Sequence, residues 1–133
     1  NIIKKKKYII IIITNQPDIG NGKTTMSVFN KMNSILKSKI AYDKLYVSIS
    51  HSLKSQYRKP NIGLFNLAIK KFNLDITKCF MVGDRKSDID AAHKIGCKAV
   101  FIDRKYAEDK PKGYIAKVGS LKKAINVIVK KGK

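Results

Sequence analysis

The chain has no tryptophan, two cysteines, three prolines and nine acidic residues in 133. Each scarcity excludes something. Cys79 and Cys97 stand singly inside apolar runs, not in paired spacings such as C-x-x-C. This argues against a disulfide framework and a cysteine zinc site, and it fits a reducing compartment. Long hydrophobic runs are missing too. Lys4 to Lys7 followed by Tyr8 to Ile13 imitates a signal peptide, but an apolar run that ends at Thr14-Asn15-Gln16 is too short for a typical signal sequence or a membrane span. The expectation is a soluble intracellular protein, in cytoplasm or nucleus, with no membrane partner.

The shortage of acid leaves 29 basic residues against nine acidic ones, a net charge of +20. That exceeds what solubility requires and points to a polyanionic partner, most naturally nucleic acid. Only Arg58, Arg85 and Arg104 are arginine. Lysine, isoleucine and asparagine are the residues that an A/T-rich coding sequence enriches by itself, so charge alone leaves nucleic-acid contact evenly weighted. Tyr46, Tyr57, Tyr106 and Tyr114 are scattered and form no stacking platform.

What is present is a foldable chain. With 44% hydrophobic residues there is apolar surface to offset ordering entropy, and the length is that of one domain with one core. Tyr8 to Ile13 is a β-branched run without alternation, as in a strand covered on both faces. Thr24 or Thr25 caps a helix in which Met26, Phe29, Met32 or Asn33, Leu36 and Ile40 recur at helical spacing. Leu45 to Ile49 is a second strand, and a polar loop runs from His51 to Pro60.

Leu64, Leu67, Ala68 and Phe72 mark the face of a second helix, and Cys79 to Val82 a strand ending at Gly83-Asp84. A helix over Asp88 to Ile95 is closed by Gly96, Ala99 to Ile102 is a fourth strand, and Leu121 to Val129 a terminal helix. Strands alternating with helices predict an α/β fold, a three-layer sandwich with a mainly parallel sheet.

In such sheets ligands lie beyond the carboxyl ends of the strands. Those ends carry Thr14-Asn15-Gln16, Ser50-His51 with Tyr57-Arg58-Lys59-Pro60, and Gly83-Asp84-Arg85. Hydroxyl, amides, cations and a carboxylate are the inventory for holding a phosphoryl group and a divalent cation. Lys59 can neutralise phosphate oxygens while the Thr14 hydroxyl donates to them. Asp84, with Asp88 four residues on, suits Mg²⁺, which takes one or two carboxylates plus water and substrate oxygens.

Singly, each residue has an ordinary explanation. Thr14 is a good strand former, Asn15 and Gln16 are turn residues, Arg58 and Lys59 belong to a lysine-rich surface, and Asp84 and Asp88 are helix-start residues. Their joint placement at strand ends lifts the phosphoryl reading above these.

Thr14-Asn15-Gln16, Arg58-Lys59-Pro60 and Gly83-Asp84-Arg85-Lys86-Ser87-Asp88, in that order and each after a strand, resemble the haloacid dehalogenase (HAD) superfamily of phosphotransferases. The resemblance spans nearly the whole chain. It implies that Thr14 and Lys59 bind the transferring phosphoryl group, that Asp84 binds Mg²⁺ and that Asp88 supports the metal. Asn15, Gln16, Arg58 and Arg85 fall beside them as substrate-binding residues.

The T-N-Q and R-K-P pairing is similar to the branch with histidinol phosphatases, heptose bisphosphate phosphatases and polynucleotide 3'-phosphatases. The small-metabolite members carry a Cys/His zinc cluster before R-K-P. Here His51 stands alone and Tyr57 takes the place of a cysteine, so zinc is not expected.

Ile19 to Lys23 and the compact run from Ser50 to Phe65 look most like the 3'-phosphatase domain of polynucleotide kinase/phosphatase, which the +20 charge favours. The run Gly83 to Ala92 reads more like the small-metabolite enzymes. The leading substrate is therefore a nucleic-acid 3'-phosphate end, with an attached or associated kinase domain as a partner, and the alternative is histidinol phosphate or a heptose bisphosphate.

The superfamily's D-x-D segment, which holds the aspartate nucleophile, is absent. Asp88-Ile89-Asp90 has the spacing but starts a helix. With the non-Met start, this suggests an N-terminally incomplete domain without its first strand, or a degenerate copy that binds without turnover, and the chain alone is expected to be inactive.

Two other classes compete. Gly22-Lys23-Thr24 imitates the end of a P-loop, but position 17, where the first glycine belongs, is proline. A non-catalytic nucleic-acid-binding module would use Lys4 to Lys7, Lys70-Lys71, Lys122-Lys123 and Lys130-Lys131.

Overall fold

The computed structural model describes residue 3, residues 7–50 and residues 52–132. Lys4, Lys5 and Lys6 of the expected basic cluster, and His51, lie outside them. The chain divides into two compact units, Asn1–Arg58 and Lys59–Lys133.

The first unit holds β1 (Ile11–Asn15), a single-turn α1 (Pro17–Gly20), α2 (Met26–Lys39) and β2 (Lys44–Ser48). β1 and β2 pair in parallel, from Ile11 opposite Lys44 to Asn15 opposite Ser48. A parallel pair needs a crossover, and α2 provides it. β1 starts later than the apolar run because the preceding amides are engaged elsewhere. Tyr8 N–H donates to the Ile3 carbonyl at 3.3 Å and Ile10 N–H to Asp43 Oδ2 at 2.7 Å.

Of the two candidate caps for α2 it is Thr25 that acts, its Oγ1 accepting the Val28 N–H at 3.2 Å. Phe29, Asn33, Leu36 and Ile40 are half-buried, whereas Met26 and Met32 are exposed. The P-loop imitation fails on its donors: the backbone N–H groups of Gly22, Lys23 and Thr24 go to Ile19 O, Asn21 Oδ1 and Asp18 O. A phosphate nest needs such N–H groups turned outward together.

The second unit holds α3 (Gly63–Phe72), a 3₁₀ turn (Ile76–Lys78), β3 (Phe80–Gly83), α4 (Lys86–Lys94), β4 (Lys98–Ile102), β5 (Ala116–Val118) and α5 (Leu121–Lys131). β3, β4 and β5 form a parallel sheet in that order. α4 packs on β3 and β4, and α5 reaches all three strands. Ile89 and Ala92 of α4 meet Cys97, Ala99 and Phe101 in the core, with Met81 and Tyr114 packed against it.

Gly96, at φ +73°, ends α4 in a left-handed conformation that glycine adopts without strain. Both cysteines are free thiols, and burial pushes the Cys97 thiol up to about 11. β5 has no apolar run to announce it, and it exists because β4 offers a free edge to Ala116–Val118. Parallel strands alternating with helices are the α/β architecture that the sequence predicts.

Candidate functional site

The predicted residues fall into both units. In the first, Thr14 and Asn15 end β1, and Gln16 follows with its backbone N–H donating to the Ser48 carbonyl at 2.7 Å. Gln16 Nε2 donates to Thr14 Oγ1 at 3.0 Å, so the amide side chain folds back over the hydroxyl. Arg58, half-buried, closes a turn through its N–H to the Ser55 carbonyl at 3.2 Å.

In the second unit, Gly83 ends β3 and Asp84-Arg85 turns the chain into α4. The turn brings Asp88, at the third position of α4, back against the strand end. A Cβ on Gly83 would lie 2.3 Å from Asp88 Cβ and 2.6 Å from its Oδ2, so only glycine admits this approach. Asp88 Oδ2 accepts the Arg85 backbone N–H at 3.2 Å, satisfying a donor at the helix start. Its Oδ1 takes the Lys59 ammonium at 2.6 Å, with the two side chains 12% and 9% exposed.

Both oxygens of Asp88 are thus engaged by protein groups. A carboxylate expected beside a metal is seen here holding the lysine of the Arg58-Lys59-Pro60 segment in place.

Asp84 faces the segment that follows β4. Tyr106 Oη donates to Asp84 Oδ2 at 2.9 Å. That bond to a carboxylate is the main reason the phenol is held above its ordinary range. The Arg85 guanidinium lies 4.3 Å above the centre of the Tyr106 ring, and its Nη1 is 3.5 Å from Glu108 Oε2. Asp103 anchors the segment. It accepts the Lys105 backbone N–H at 2.9 Å and pairs with the Lys105 and Lys110 ammonium groups at 3.2 Å each. The backbone N–H bond first, then the two ammonium groups, draw its carboxyl down to about 2.

The donor set decides what metal could be held. Among the described residues no three His, Cys, Asp or Glu side chains cluster, which is too few for an all-protein cage of the zinc or calcium kind. Mg²⁺ keeps several waters and takes one or two carboxylates with substrate oxygens. Asp84 fits as one such ligand, since its Oδ1 has no hydrogen-bond partner among the described residues.

Tyr106 and Glu108 escape sequence reasoning. They sit 22 and 24 positions after Asp84 in a polar loop of no recognisable motif. Only the pairing of β3 with β4 brings the loop to the end of β3.

Residues 56–113 match the family model described as HAD-hydrolase-like. The chain is 34% identical over 105 residues to the histidine biosynthesis bifunctional protein HisB of Blochmanniella floridana, covering 74% of this chain and 29% of that protein. It is 31% identical over 102 residues to the D-glycero-alpha-D-manno-heptose-1,7-bisphosphate 7-phosphatase of Burkholderia mallei, covering 67% and 54%. The chain therefore spans less than two thirds of the length of these curated relatives.

Among solved structures, the D,D-heptose 1,7-bisphosphate phosphatase from B. bronchiseptica, complexed with magnesium and phosphate, superposes with a TM-score of 0.85 at 18% identity, covering 97% of this chain and 78% of that one. Residues 56–113 thus match a HAD-hydrolase-like family model, and the fold of the chain is similar to that of the heptose bisphosphate phosphatase.

Proposed function

We propose that this chain supplies the phosphoryl-binding and metal-binding groups of a Mg²⁺-dependent phosphomonoesterase acting on a small phosphorylated metabolite. The observation that carries the reading is the Lys59 ammonium, 12% exposed and fixed at 2.6 Å on Asp88. A cation preset in this way needs no reorganisation when negative charge gathers on the phosphoryl oxygens, which is where most of the catalysis of phosphoryl transfer lies. Asp84 is the proposed ligand of Mg²⁺, which when bound would neutralise a phosphoryl oxygen. Thr14 and Asn15 are proposed to donate to the phosphoryl group, and Gln16, Arg58 and Arg85 to contact the rest of the substrate.

The polynucleotide 3'-end, first in the sequence ranking, gives way to the alternative. The matched relatives carry the names of a histidine-biosynthesis protein and of heptose bisphosphate phosphatases, and these support a sugar or histidinol phosphate. The chain has no strand-end D-x-D, and Asp88-Ile89-Asp90 lies within α4 with Asp88 buried. No covalent step is assigned to its residues, and by itself it is proposed to bind without turnover.

A site that binds without turnover can be tested directly by calorimetry. In the presence of Mg²⁺ the chain should bind heptose 1,7-bisphosphate or histidinol phosphate. Asp84→Asn should remove that binding while leaving the fold intact, and Lys59→Ala should remove it at a cost in stability, because the buried Asp88 carboxylate loses its partner. Retained binding in either variant defeats the assignment. An oligonucleotide bound more tightly with a 3'-phosphate than with a 3'-hydroxyl, at salt high enough to suppress charge attraction, would restore the nucleic-acid reading.

A further inference from the structure

The segment from Asp103 to Lys110 has no part in the phosphoryl-binding reading, yet it is built rather than loose. Its base is tied at Asp103 by Lys105 and Lys110, and Lys110 Nζ also donates to the Tyr106 carbonyl at 3.3 Å. Its tip grips two consecutive residues of the β3 end: Tyr106 Oη holds Asp84 Oδ2, while the Tyr106 ring and Glu108 hold Arg85.

A lone carboxylate at a strand end can rotate and offer either oxygen. A hydrogen bond to one oxygen fixes the plane of the group and leaves the other facing a cation. Outer partners of this kind orient metal ligands and are worth about 10–100-fold in metal affinity. Tyr106 engages Oδ2 of Asp84 and leaves Oδ1.

We propose that Tyr106 is a positioning residue for Asp84, carried on a clasp formed by Asp103–Lys110, whose hydroxyl sets the Asp84 carboxylate for Mg²⁺. This rests on the reading of Asp84 as a Mg²⁺ ligand. The ring of Tyr106 stacks with Arg85 whether or not the hydroxyl is present, so Tyr106→Phe removes the positioning bond alone.

The test titrates the whole 133-residue chain with Mg²⁺ alone by calorimetry, with thermal unfolding followed in parallel. Tyr106→Phe should weaken Mg²⁺ binding about tenfold with Tm unchanged. Asp103→Ala, which does not touch Asp84, should weaken it in the same direction and add nothing further when combined with Tyr106→Phe. A dissociation constant within about twofold of the unaltered chain or tighter for Tyr106→Phe, while Asp84→Asn abolishes binding, overturns the positioning role and leaves the metal reading standing. A fall in Tm at unchanged affinity marks a purely structural loop and overturns the role equally. No Mg²⁺ binding by the unaltered chain, or binding indifferent to Asp84→Asn, defeats the metal reading and the inference with it.

Discussion

Three neighbours make demands on Asp88: the Lys59 ammonium, the Arg85 N–H and the bare α-carbon of Gly83. Removing one member of a buried ion pair leaves the other charge poorly compensated, at a cost of about 3–5 kcal/mol. Asp88→Ala should therefore lower stability by an amount in that range, measured by urea unfolding, and a loss below about 1 kcal/mol would show the pair to be solvent-screened. Gly83→Ala attacks the same contact from the other side. Its new methyl must push Asp88 away, costing about 1–3 kcal/mol by overpacking, and phosphate affinity should fall with it because Lys59 loses its anchor. Unfolding and phosphate titration of one variant would reveal whether the two losses travel together.

At the scale of elements, the clasp has its own pH signature. Asp103 has its carboxyl drawn from the ordinary 3.8 down to about 2. A group whose folded value is lowered contributes stability that is complete above the unfolded value and disappears as pH falls through the folded one. Amide exchange in the Asp103–Lys110 segment, corrected for intrinsic rates, should stay slow above pH 3.8 and rise as pH drops toward 2. Protection that does not change over that interval would mean the Asp103 contacts do not hold the segment. Elements with a periodic apolar pattern, such as α4 and β4, were legible from sequence to within two residues. Elements set by pairing were less so: β1 moved along its run because Asp43 and Ile3 take the earlier amides, and β5 carries no pattern of its own.

At the scale of the molecule, the charge of +20 remains without an assigned partner. Oligonucleotides should bind this chain with affinity that drops steeply as salt rises, because released counterions drive such binding. If the small-metabolite reading holds, that drop is the same for 3'-phosphate and 3'-hydroxyl ends, as a filter-binding series at several salt concentrations would reveal. Among the described residues no helix is long and apolar enough to cross a membrane.

The α/β class, the order of the motifs and the residue types at the strand ends were determined by the sequence alone, because runs of branched residues, helical periodicity and short motifs are local properties. Which groups those residues meet was decided only by the tertiary structure. The Lys59–Asp88 pair spans 29 positions and the Tyr106–Asp84 bond 22, and neither partner is marked by spacing. The second depends on β3 and β4 pairing in parallel, which carries the loop after β4 to the strand end where Asp84 stands, and the first on the turn after β3 that sets Asp88 against Gly83, where the Lys59 ammonium meets it.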